Sequence, residues 1–150
     1  MVYVAEDLKA VVEQAFTKLR GLDVVTLSHR PRPDRWTIKE VIGHLINSCA
    51  NNHQRFIRAQ FTTELAFPRY EQNQWVNAQH YDQVEWADLL ELWRRYNLHL
   101  AHVISHISPA ALNTRCVVGD YPPMTLQILV EDYVVHLKHH LSKIDERLSD

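Results

Sequence analysis

The sequence predicts an all-α fold, a four-helix bundle whose helices are joined by long, partly aromatic connections. Two patterns predict it: four segments carry apolar residues at helical spacing, and three of them are preceded by helix-start signals. Glycine and proline are also scarce, three and six in 150 residues, which leaves most of the chain free to be helical. Each apolar stripe can be buried only against the others, so a bundle is the economical arrangement.

The first helix is expected from about Ala5 to Leu19, where Leu8, Val11, Val12, Ala15, Phe16 and Leu19 share a face and Gly21 follows as a stop. The stretch through Arg30-Pro-Arg-Pro-Asp-Arg35 is too rich in proline to continue it and reads as a loop. Thr37 and Glu40 then form a capping-box pattern, with Trp36 and Val41 placed as a hydrophobic staple, and start a second helix expected to reach Gln60 or Phe61. From Thr62 to Tyr81 periodicity fails, and the aromatic-rich segment Phe67 to Trp75 reads as an irregular connection. Asp82 as N-cap, Glu85 as its partner and Tyr81 against Trp86 predict a third helix running to about Ile107. After a turn-rich connection from Pro109 to Pro123, Thr125 caps a fourth helix to about Leu148, with Met124 and Leu129 as staple.

Composition bounds the function. The 150 residues, 46% hydrophobic and 23% charged, fit a single globular domain covering 1–150. A net charge of -2 gives no reason to expect nucleic acid or an anionic membrane as partner. No apolar run approaches the ~20 residues that span a bilayer. Glu6, Asp7 and Lys9 break any signal-peptide pattern, so the expected location is cytoplasmic. Cys49 and Cys116 form no metal half-site or disulfide framework, and Cys49 falls on an apolar face as a small core residue. Ten histidines are the outlier.

His136 and His140 stand one turn apart on the edge of the fourth helix, a spacing at which two imidazoles can chelate one ion. The same spacing is also common among ordinary surface histidines. His44, at the margin of the second helix's core face, supplies a third nitrogen, and three protein ligands with one open position is the catalytic rather than the structural pattern. His139 lies about 100° from His140 and is left out. His99, His102 and His106 fall on a flank of the third helix and read as a solvated face. Asp132 and Glu40, each one turn before a histidine, are candidates to orient an imidazole, although Glu40 already has a capping role.

The segments Trp36-Thr-Ile-Lys-Glu-Val-Ile-Gly-His44-Leu and His136-Leu-Lys-His-His140-Leu-Ser-Lys-Ile, with Tyr70-Glu-Gln-Asn-Gln-Trp-Val-Asn-Ala-Gln-His-Tyr81 between them, resemble the motifs of the DinB-like (YfiT-like) superfamily. The resemblance covers nearly the whole chain. It implies a four-helix bundle, often dimeric, that holds zinc, nickel or iron through three histidines, which carry over to His44, His136 and His140. It also implies either thiol transfer, with the metal activating a low-molecular-weight thiol, or hydrolysis. The expected function is therefore a metal-dependent enzyme acting on a small-molecule electrophile, with Asn47, Asn51, Trp75 and Asn77 lining the pocket and a homodimer as the assembly. The rival is a non-catalytic, metal-stabilised or ligand-binding stress-response bundle. No cationic cluster marks a place for a particular thiol, and Arg55, Arg58 and Arg69 are the candidates to contribute to one.

Overall fold

Thr37 Oγ1 accepts from the Glu40 amide at 3.2 Å and Glu40 Oε2 accepts from the Thr37 amide at 2.8 Å, so the capping box is complete and starts helix α3, Ile38–Arg58. The structure, a computed structural model, describes residues 1–150. Three other long helices accompany α3: α1 (Val2–Leu19), α5 (Trp86–Ser105) and α6 (Leu126–Ser149), the last capped by Thr125 Oγ1 accepting from the Ile128 amide. Helix α1 packs chiefly on α5, and α3 packs on α5 and α6. Together they make the four-helix bundle expected from the apolar periodicity.

The core is built from the stripes that the sequence marks. Leu8, Ile42, Phe56, Trp93, Leu100 and Leu137 are fully buried. Burial of each such side chain is worth about 1.5–3 kcal/mol, which is what holds the bundle against the entropy of ordering it. Cys49 lies in this core, and burial pushes its thiol up to about 12, so it is a packing residue. No helix is long and apolar enough to cross a membrane.

The connections hold more structure than the sequence predicts. Asp23 caps a short helix α2 (Val24–Ser28), accepting from the Thr26 amide at 2.8 Å, in a stretch expected to be loop. The segment after α3 contains strand β1 (Glu64–Phe67) and helix α4 (Gln72–Gln79). The connection before α6 contains β2 (Arg115–Val118) and β3 (Met124–Thr125). Strands β1 and β2 pair in parallel from Glu64↔Arg115 to Phe67↔Val118, and β3 pairs antiparallel to β2, so a small sheet ties the two connections together.

The start of α5 also differs from expectation. Asp82 sits in a 3-10 turn, Tyr81–Gln83, and the helix begins at Trp86 with Glu85 at its N-cap and no side-chain cap. Contacts from elsewhere in the fold replace the local capping pattern. Lys39 Nζ donates to the carbonyls of Asp82 and Val84, holding this segment against α3. The two rings of the proposed staple serve different partners: Tyr81 lies over Gly43, where an added Cβ would overlap its ring, and Trp86 Nε1 donates to the Leu19 carbonyl at 3.0 Å. His80 turns the chain between α4 and Tyr81 with φ 49, a left-handed conformation uncommon outside glycine.

Candidate metal centre

Helices α3 and α6 pack side by side and carry three histidines to one point. His44 Nε2 lies 3.3 Å from His136 Nε2, and His140 Nε2 lies 3.2 Å from the same atom. The ligand atoms of all three fall within 4.8 Å of one another. His44 is completely buried, and His136 and His140 are half-buried. His139 is exposed, with its ring centroid 5.6 Å from that of His140, and does not join the cluster.

Hydrogen bonding alone does not account for this geometry. A ring nitrogen carries either one hydrogen or one lone pair, so His136 Nε2 cannot make a full hydrogen bond to both neighbours. A tetrahedral ion at the usual zinc–imidazole distance sets its nitrogens about 3.3–3.4 Å apart, close to the two spacings of 3.3 and 3.2 Å in the structure. The protonation states suit an ion as well. Burial, with added repulsion from the neighbouring imidazoles, lowers the pKa of His44 to about 3 and of His140 to about 4, and burial with the charge of His139 lowers that of His136. All three are therefore neutral near pH 7, the form that ligates metal.

The surroundings of the ligands differ from the expected ones. Neither Glu40 nor Asp132 forms a hydrogen bond to an imidazole. Burial acts to raise the Glu40 pKa, but hydrogen bonds from Arg30 and the Thr37 amide outweigh it and leave the carboxyl below its ordinary value. That carboxylate is committed to the helix start. Asp132 is exposed, in the wall of a cavity that His136 also lines. His44 Nδ1 is buried without a partner, and the Trp36 ring, 4.7 Å away and tilted by 35°, packs against the imidazole instead.

Two cavities of about 580 Å3 each reach the cluster, one lined by His136 and the other by Trp36, His139 and His140. The first lies between α3, α6 and the small sheet and is lined by Ser48, Asn52, Arg55, Tyr70, Tyr121 and His136 among others. None of the four expected pocket residues lines it. Asn47 is buried and accepts from Gln79 Nε2 and the Tyr81 hydroxyl, both at 2.6 Å. Asn51 is buried and donates back to the Asn47 carbonyl at 2.9 Å. Trp75 is 40% exposed beside Tyr70, and Asn77 is exposed on α4.

The residues that do line the cavity had a sequence signal. Ser48, Asn52 and Arg55 recur at intervals of four and three and continue the line of His44 as a polar stripe along α3. His99 and His102 are exposed on α5 and His106 is exposed at its C-cap, as the solvated-face expectation has it.

The comparisons with known proteins agree with this architecture. YfiT from Bacillus subtilis, described as a probable metal-dependent hydrolase with an unusual four-helix bundle topology, is similar in fold with a TM-score of 0.83 and 21% sequence identity, over 97% of this chain and 82% of that one. No curated protein matches by sequence. The DinB superfamily profile matches residues 8–144, and the chain belongs to that superfamily.

Proposed function

We propose that the chain is a metal-dependent enzyme in which His44, His136 and His140 hold one divalent ion and a small electrophile is attacked by water or by a low-molecular-weight thiol. The observation that carries this is the convergence of three neutral Nε2 atoms at 3.2 and 3.3 Å around His136. Three imidazoles suit zinc, nickel or iron and leave a position for an exchangeable ligand. An ion held there supplies Lewis acidity and lowers the pKa of a bound water or thiol, which provides a nucleophile at neutral pH.

The chain's own residues set the conditions for that chemistry. Trp36 packs against the buried His44 imidazole and covers that ring. His136 faces the cavity beside Tyr70 and Asn52, so the substrate approaches along α3 and α6. The homodimer implied by the family resemblance belongs to the same proposal.

Elemental analysis of the protein as isolated tests the centre, and a screen of thiol conjugation and hydrolysis on small electrophiles tests the reaction. About one ion per chain together with turnover of either kind is expected. Full metal occupancy in His136→Ala would overturn the ligand set. Metal whose chelation lowers the melting temperature without any turnover would point to a structural ion.

A further inference from the structure

Arg55 is a buried cation without a counter-ion. It is 7% exposed, forms no ion pair, and reaches only two neutral acceptors, Asn52 Oδ1 and the Pro68 carbonyl, each at the long distance of 3.4 Å. Its Nε is buried with no partner at all. The guanidinium lies 5.3 Å from the centre of the Phe67 ring and lines the same cavity as His136. A buried charge left unpaired is costly, and chains retain one chiefly where something else completes it.

From this arrangement we propose that Arg55, with Asn52 and Tyr70, is a subsite for a single carboxylate on the ligand whose opposite end reaches the three histidines. The planar fork of a guanidinium matches a carboxylate and binds it bidentately. Charge decides between a monocarboxylate and a polyanion. Arg69 lines the cavity but is already paired with Asp120 at 2.8 Å, and the exposed Glu71 and Asp132 face the same space. With those two carboxylates present, the cavity favours one negative charge placed at Arg55 and disfavours phosphate groups.

The cavity also sets a length. Ser48 and Arg55 are seven residues apart on α3, and Leu129 and His136 are seven apart on α6, so it runs for two helical turns, roughly 10 Å. Three extended residues span about that distance. The ligand class is a carboxylate-bearing molecule the size of a tripeptide. The identity of its reactive end rests on the metal-centre proposal, but the subsite itself does not.

The Arg55 Nε–Hε resonance of nitrogen-15-labelled protein reads the subsite directly, assigned through its own backbone and by its loss in Arg55→Lys. Zinc-loaded and chelator-treated samples are each titrated with sodium acetate, acetamide, inorganic phosphate and sodium chloride. Acetate should move the resonance saturably in both samples, with at least a threefold lower midpoint than phosphate, while acetamide and chloride produce no saturable shift. An acetate response no different from chloride or acetamide would overturn the subsite, and a lower midpoint for phosphate would overturn its assignment to a carboxylate. A protein that binds no metal yet saturates with acetate would sink the metal centre and leave the subsite standing. Metal binding without an acetate response would do the reverse.

Discussion

His44 and His136 bring their Nε2 atoms to 3.3 Å although 92 positions separate them in the chain, and that single approach joins two helix faces at the proposed chelate. Replacing His136 with alanine should reduce metal affinity by at least 100-fold, because a two-histidine remnant lacks the third nitrogen. Replacing the exposed His139 should leave affinity within about threefold. Competition with a calibrated chelator measures both, and equal losses from the two substitutions would refute the assignment of ligands.

Acid should destabilise the metal-free protein through the same residues. The ordinary histidine value of 6.5 falls to about 3 for His44 and about 4 for His140 in the fold. Between those values and 6.5 the unfolded chain binds more protons than the native one, so stability rises with pH. It is at its full value above about pH 6.5 and is lost as pH falls toward 4 and then 3. The urea midpoint of the metal-free protein should therefore fall between pH 7 and pH 5, and His44→Gln should flatten that dependence. An unchanged slope in the variant would count against the buried neutral state of His44.

Gly43 carries a packing constraint one residue before the first ligand. A methyl group there meets the Tyr81 ring, which is 5% exposed and anchored by its hydroxyl to Asn47. Gly43→Ala should cost about 1–3 kcal/mol as an overpacking change. Combining it with Tyr81→Leu should cost less than the sum of the two single changes, since the clash disappears with the ring. Denaturant unfolding of the four proteins gives the coupling, and strict additivity would show that the clash is absent.

The buried pair of Tyr133 and Asn97 joins α6 to α5: the tyrosine hydroxyl donates to Asn97 Oδ1, and Asn97 Nδ2 donates to the Trp93 carbonyl at 2.9 Å. Tyr133→Phe strands a buried acceptor and should cost about 1–3 kcal/mol, with metal affinity unchanged. A loss below about 0.5 kcal/mol in the same unfolding assay would mean that Asn97 finds another donor.

The long helices and the His136–His140 pair are legible in the sequence because both follow local rules, whereas His44 joins them from 92 positions away. Thr37 with Glu40 and Thr125 before Leu126 mark starts by side-chain chemistry, and His136 with His140 are adjacent by helical spacing. The sheet was not legible, since strands of four and two residues are too short to display a period of two, and β1 and β2 pair across 51 positions of sequence. The start of α5 at Trp86 differs from the local capping pattern, and Lys39, from a distant helix, holds the carbonyls of Asp82 and Val84 there. Asn47, Asn51, Trp75 and Asn77, the expected pocket residues, do not line the cavity. The cavity instead follows the stripe of Ser48, Asn52 and Arg55, which becomes distinctive only once its burial is known.

The parallel pairing of β1 with β2 divides labour within the molecule. The histidines ride on α3 and α6, whose positions are fixed by the core, whereas part of the opposite wall, including Tyr70, Val118 and Tyr121, hangs from connections fastened to each other by four paired residues. Sequence change in those connections can reshape what the cavity admits without moving any of the three histidines. If the proposed metal-dependent activity holds, such a bundle can acquire new substrates by editing its loops while keeping its chemistry constant.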